Sequence, residues 1–225
     1  PEQQLAFGRR FGPLNIHPYV TGMPGHPEIM EIIKEPSDKL NFGGGWHSDM
    51  SFLEKPSIGS ILYALEGPPY GGDTLFASMT AAWDALSPGL RKTLTPLRAI
   101  HSASREYSAQ GPSAQKRASM SVAEAEGQTG EYAHPVAKVH PETGKTALYV
   151  NPAFTLKIEG WSTRESKPLL QYLFDHARYE GFTCRFRWSG LSMSTTNRST
   201  SPSRSMSAPS TPMENAEVVR IAWRA

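Results

Sequence analysis

The seven residues Gly43-Gly44-Gly45-Trp46-His47-Ser48-Asp49 constrain this chain more than any other stretch. A histidine and a carboxylate two residues apart on an extended segment project to the same face of a strand, where both reach one metal ion. They supply two of the three ligands of a 2-His-1-carboxylate facial triad. That arrangement leaves positions open on iron(II) for a bidentate co-substrate and dioxygen. The second histidine has to come from elsewhere in the fold. Alone, a His-x-Asp pair is a weak signal, and the flanking strings carry the specificity.

Three strings follow it: the strand-like Ser60-Ile61-Leu62-Tyr63-Ala64-Leu65, the segment Pro68 to Ala77 with Gly71-Gly72-Asp73-Thr74 at its centre, and His134 to Thr155. Within the last, His134 to Asn151 reads as a hairpin whose two runs are joined by Pro141-Glu142-Thr143-Gly144. In order and spacing, these strings and the Trp-His-Ser-Asp segment resemble the TauD/TfdA family of iron(II)- and 2-oxoglutarate-dependent dioxygenases, over most of residues 5 to 188. The resemblance implies a mainly β fold with helices, a double-stranded β-helix or jelly roll, incomplete at both ends. It implies oxidative decarboxylation of 2-oxoglutarate at Fe(II), with O2 as the other co-substrate, coupled to hydroxylation of a small organic substrate such as a sulfonate, sulfate ester or related acid.

Carried over position by position, His47 and Asp49 become metal ligands and Thr74 helps hold the distal carboxylate of 2-oxoglutarate. Phe154 lines the substrate pocket, and His17, in Ile16-His17-Pro18, falls where sulfonate-oxidising members place a substrate-contacting histidine. Gly43 to Gly45 stand where those members have polar residues, which argues against taurine itself. The family's distal histidine and its 2-oxoglutarate-clamping arginine, normally in a C-terminal Trp-Asp-Asn-Arg segment, have no assigned position here. His101, His134, His140 and His176 read as structural histidines.

Composition changes where the resemblance stops. Residues 1–188 read as one jelly-roll domain with a polar, lid-like or disordered insert at about 104–132. From residue 189 onward, 9 of 37 residues are Ser, with no Lys, Asp, His, Phe or Tyr. Leu191 to Thr211 lacks the alternating large residues that a strand buries, so the tail reads as disordered low-complexity chain or as a shifted reading frame, with Val218 to Trp223 its one strand candidate. The tail holds 4 Arg against 2 Glu, and the rest of the chain is balanced, so the net charge of +2 belongs to the tail and argues for no nucleic-acid surface.

The single cysteine, Cys184, excludes an intrachain disulfide and fits a reducing cytoplasm. In Phe182 to Phe186, a strand-like alternation, it reads as a small core residue. No apolar run reaches the ~18 residues of a membrane span. Ser78 can cap a helix at Met79 to Leu86, Ser87-Pro88 can open another through about Leu94, and Ser162-Thr163-Arg164-Glu165 is a capping box ahead of an apolar face. The expected partner is a small molecule, and the resemblance allows a homo-oligomer. Two functional readings stand: a dioxygenase, or a catalytically silent jelly-roll homologue lacking the distal ligand. A zinc hydrolase is a weaker third, since its site also wants three protein ligands.

The abrupt change at residue 189 predicts that an alternative frame of the gene from about codon 189 encodes a Trp-Asp-Asn-Arg-like strand, a distal histidine and two or more arginines. Resequencing the locus checks this. If neither alternative frame yields a histidine followed by an arginine-rich strand, the Ser-rich tail is native.

Overall fold

Short apolar alternations punctuated by Gly and Pro favour paired strands over long helices in this chain. The computed structural model describes residues 1–35, 38, 41–68, 71–108, 111 and 130–188, together with the backbone of 193–197 and 216–223. Its strands are β1 (Ile29–Lys34), β2 (Gly59–Glu66), β3 (Thr74–Ala77), β4 (Arg98–Ser102), β5 (Glu131–Pro135), β6 (Ala137–Val139), β7 (Thr146–Leu148), β8 (Thr155–Ile158), β9 (Thr183–Phe186), β10 (Met193–Asn197) and β11 (Ala216–Trp223). Five helices accompany them: α1 (Glu2–Gly8), α2 (Met79–Asp84), α3 (Pro88–Leu94), α4 (Ser104–Tyr107) and α5 (Thr163–Ala177).

The strands form a four-stranded sheet ordered β1-β11-β2-β10, a three-stranded sheet β5-β4-β8, and the pairs β3-β9 and β6-β7. Among the described residues these sheets do not close into a barrel. β6 and β7 are the arms of the expected hairpin, and Gly144, at φ +66, turns the chain between them.

The tail differs in part from the unstructured chain expected of it. Met193–Asn197 pairs antiparallel with β2, and Ala216–Trp223, which contains the strand candidate, lies parallel to both β1 and β2. The rest of the tail, and most of the expected 104–132 insert, lie outside the described residues. Cys184 also differs: it is exposed. β9 pairs only with β3 among the described strands, and both Cys184 and Arg185 on its opposite faces are exposed.

Helix starts follow local chemistry. The Ser78 hydroxyl accepts from Ala81 N–H at 3.3 Å and Ser87 from Leu90 N–H at 3.3 Å, each satisfying a donor that a first turn leaves open. Ser162 and Glu165 close a reciprocal capping box on α5. That helix buries Leu170, Leu173 and Ala177 against Trp83, Leu86, Leu94 and Ile158, with Leu169 and Phe174 at the margin. Ser166, fully buried in α5, accepts from Ile158 N–H at 3.0 Å and ties the helix to the end of β8.

A buried polar network joins three segments that are distant in sequence. His101 on β4 has Nδ1 3.2 Å from Ser51 Oγ and Nε2 3.3 Å from Thr155 Oγ1. Asn151 donates from Nδ2 to Ser51 Oγ at 3.0 Å and from its backbone N–H to Thr155 Oγ1 at 2.9 Å. Burying these groups unpaired would cost about 1–3 kcal/mol each, so the network holds its members to one arrangement.

Burial, helped by the charges of His134 and Lys138, pushes His101 down to about 3. Between the ordinary histidine range near 6.5 and pH 3 the unfolded chain therefore binds a proton that the folded chain refuses, and stability falls as pH falls through that window. One such proton sets a slope of up to about 1.4 kcal/mol per pH unit. Denaturant titrations from pH 7 to pH 4 should show a steeper loss of stability in the unaltered protein than in His101→Gln. Equal slopes would mean that His101 does not couple folding to protonation.

Candidate metal centre

The backbone around the His-x-Asp pair is specialised before any side chain is considered. Gly43 takes φ +64, a left-handed turn that glycine adopts without strain, and its backbone lies close beside the His47 ring. His47 and Asp49 sit on an irregular loop, which corrects the expectation that a strand presents them. The cause is the next residue. Met50 has φ 54, a left-handed conformation costing roughly 1–2 kcal/mol for a residue with a Cβ, and it bends the chain out of any strand. Burial of Met50 and anchoring of Ser51 in the polar network hold that turn.

The two side chains still meet on one side of the loop. His47 Nε2 and Asp49 Oδ1 are 3.0 Å apart. Two donors bound at right angles to one ion, with bonds of about 2.1 Å, stand about 3.0 Å from each other, so the pair fits adjacent corners of an octahedral metal. His47 Nδ1 donates to the Gly45 carbonyl at 2.7 Å, which fixes the ring so that Nε2 faces Asp49, and the proton between Nε2 and Oδ1 is the one a metal displaces. Asp49 Oδ2 accepts from the Ser60 hydroxyl at 2.6 Å, leaving Oδ1 toward the histidine. Burial raises the Asp49 carboxyl, but His47 and the Ser60 hydrogen bond outweigh it, and the group is held below the usual carboxylate range.

An aromatic cluster backs this pair. The buried Phe154 ring stands edge-on to His47, with centroids 6.4 Å apart, and packs on Phe52 at 4.7 Å. Tyr19 stacks on Tyr107 at 4.7 Å, and Met50 and Trp188 join the same cluster. His17 enters it through ring contacts with Tyr19, Phe52 and Tyr107. Its Nδ1 accepts backbone N–H groups from Tyr19 at 3.1 Å and Val20 at 2.9 Å, so its proton is on Nε2, 3.3 Å from Tyr107 Oη. Burial pushes His17 down to about 4 against the opposing pull of Asp49, so it is a neutral donor near neutral pH.

Thr74 opens β3, and its hydroxyl oxygen accepts from the Trp188 indole N–H at 2.9 Å. Beside it, Asp73 pairs with Arg185 at 3.1 Å. His47, Asp49, His17 and Phe154 thus gather around one aromatic cluster, and Thr74 joins it through Trp188. Sequence reasoning passed over Ser60, Tyr107 and Trp188. Each contributes through a long-range contact that no local pattern announces.

The other histidines are engaged elsewhere: His134 Nε2 with the Leu53 carbonyl, His140 Nδ1 with Glu142 and Thr143 N–H groups, His176 Nε2 with the Ala82 carbonyl, and His26 with Glu2. Among the described residues no group of three or more His, Cys, Asp or Glu could hold a metal ion. The residues present fit a metal as two of its protein ligands.

A histidine and a carboxylate set as adjacent donors, on a mainly β scaffold, define the kind of centre from which mononuclear non-haem iron oxygenases are built. The chain belongs to the TauD/TfdA family: residues 1–190 match the family model described as taurine catabolism dioxygenase TauD, TfdA family. It is 34% identical over 201 residues to the alpha-ketoglutarate-dependent dioxygenase cnsM of Penicillium expansum, covering 83% of this chain and 54% of that protein. It is also 34% identical to the alpha-ketoglutarate-dependent sulfonate dioxygenase of Saccharomyces cerevisiae, covering 78% and 42%. A solved structure titled as a putative alpha-ketoglutarate-dependent taurine dioxygenase from Burkholderia xenovorans superposes with a TM-score of 0.69 at 33% identity, covering 88% of this chain and 64% of that one. The jelly-roll fold class follows from such neighbours. The chain spans about half the length of the curated relatives it matches.

A pair that supplies two ligands of an incomplete set should lose iron binding when either is removed. Anaerobic titration of iron(II) and 2-oxoglutarate, followed by the visible charge-transfer band, should give a signal in the unaltered chain and none in Asp49→Ala or His47→Ala. Equal bands would remove Asp49 and His47 from the centre.

Proposed function

We propose that this chain carries the core of an iron(II)- and 2-oxoglutarate-dependent dioxygenase that hydroxylates a small organic acid such as a sulfonate or sulfate ester. The observation carrying this reading is the 3.0 Å His47–Asp49 pair, with its outer atoms tied to the Gly45 carbonyl and the Ser60 hydroxyl. Iron with 2-oxoglutarate and O2 supplies the oxidising chemistry when bound; the protein positions and shields it. His47 Nε2 and Asp49 Oδ1 hold the metal. Thr74 donates its hydroxyl proton to the distal carboxylate of 2-oxoglutarate, while Phe154 and His17 line the substrate side, with Phe154 excluding water from the reacting face. The fungal sulfonate dioxygenase among the relatives supports the acid class, and Gly43 to Gly45 beside His47 lack polar side chains for a substrate such as taurine.

No helix among the described residues is long and apolar enough to cross a membrane. The single cysteine supports a cytoplasmic setting for the enzyme, acting on a small molecule.

A second reading, a silent jelly-roll homologue, is favoured by the engagement of His134, His140 and His176 with partners away from the pair. Turnover separates the two. Purified protein given iron(II), ascorbate, 2-oxoglutarate and a panel of sulfonates and sulfate esters should form succinate in the dioxygenase reading, and bind metal without succinate in the silent one. Thr74→Val keeps the side-chain shape and removes the hydroxyl. Losing a donor to a charged group costs about 1.5–3 kcal/mol, so affinity for 2-oxoglutarate should fall about tenfold or more. An unchanged affinity would make Thr74 structural.

A further inference from the structure

We propose that Trp188 is a positioning residue that reserves the Thr74 hydroxyl proton for the distal carboxylate of 2-oxoglutarate. This inference rests on the assignment of Thr74 to the co-substrate. The geometry begins with the 2.9 Å hydrogen bond from Trp188 Nε1 to Thr74 Oγ1. An indole nitrogen donates and never accepts, so Thr74 is necessarily the acceptor and its own proton is not spent on Trp188. A carboxylate accepts and never donates, which makes it the natural recipient of the proton left over. A hydroxyl polarised by an incoming donor is also the stronger donor on its other side.

The fold builds this contact from both flanks. Thr74 is the first residue of β3 and pairs in register with Phe186, the last residue of β9, two residues before Trp188. The Phe186 ring meets the indole at 4.8 Å and 75°, and the other side of Trp188 packs against the cluster containing Phe154 and Phe52. Across the same strand pair, Arg185 reaches Asp73 at 3.1 Å and locks the register that sets Trp188 against Thr74. The indole is thereby held against the hydroxyl, whose proton must point away from Trp188. Satisfying a half-buried indole N–H would be reason enough for the bond in a purely structural account. The two accounts differ in which ligand notices its loss.

The test is calorimetric binding of two acids to the full chain loaded with Mn(II) under anaerobic conditions. 2-Oxoglutarate has the distal carboxylate; 2-oxobutyrate shares the metal-chelating head and lacks it. Trp188→Phe should weaken 2-oxoglutarate about three- to tenfold, the range of one hydrogen bond, and leave 2-oxobutyrate within about twofold. In a Thr74→Val background Trp188→Phe should change nothing further, because its effect passes through the hydroxyl. Replacing Trp188 with benzothienylalanine, which keeps the ring shape and removes only the N–H, should reproduce the result if Trp188→Phe folds poorly.

Equal weakening of both acids, or additive losses in the double variant, overturns the proposal and makes Trp188 a packing residue. A loss in Thr74→Val with none in Trp188→Phe overturns it while leaving the Thr74 assignment intact. No effect of Thr74→Val, or binding of neither acid by the unaltered chain, overturns the assignment and the inference together.

Discussion

The hydrogen bond from Asn151 Nδ2 to Ser51 Oγ is the contact on which the rest of the site depends. It links residues 100 positions apart, one just after the His-x-Asp pair and the other just before Phe154. Around it, His101 bridges Ser51 and Thr155, and the Asn151 carbonyl oxygen Oδ1 accepts from Phe154 N–H at 2.9 Å. The loop carrying the His47–Asp49 pair and the loop carrying the Phe154 ring are thereby one rigid piece. Met50 keeps an unfavourable left-handed turn because it is buried and Ser51 beside it is pinned.

From that piece the electrostatics follow. Asp49 stays ionised because one oxygen faces His47 and the other receives Ser60, and the first residues of β2 place that serine correctly. The aromatic cluster around Phe52, Tyr107 and Phe154 removes water from one side of the pair, which strengthens charge interactions there and keeps His17 neutral. Trp188 extends the same cluster to β3, so Thr74 and the His47–Asp49 pair share a continuous packed wall.

Much of this was legible in the sequence where the physics is local. A serine followed by helix-forming residues caps a helix wherever it occurs, and Ser78, Ser87 and Ser162 all do so. An i, i+2 pair can share a side of the chain whether its backbone is a strand or a loop, so His47 and Asp49 meet at 3.0 Å although the expected strand is a loop. Exposure of Cys184 depends on which neighbours cover β9, and no alternation pattern reports that. Ser60 and Trp188 act across separations of 11 and 114 residues, and only the folded chain brings them to Asp49 and Thr74. The strands drawn from 193–197 and 216–223 pair with β1 and β2 through backbone groups, which any composition offers.

The central claim is that His47 and Asp49 together hold the metal of a TauD/TfdA-family centre. Anomalous diffraction from crystals of the protein grown with Mn(II) tests it most directly. The account predicts one strong peak within bonding distance of both His47 Nε2 and Asp49 Oδ1, with the His47 ring still donating to the Gly45 carbonyl. A peak bound to neither side chain, or none at saturating Mn(II), would contradict it.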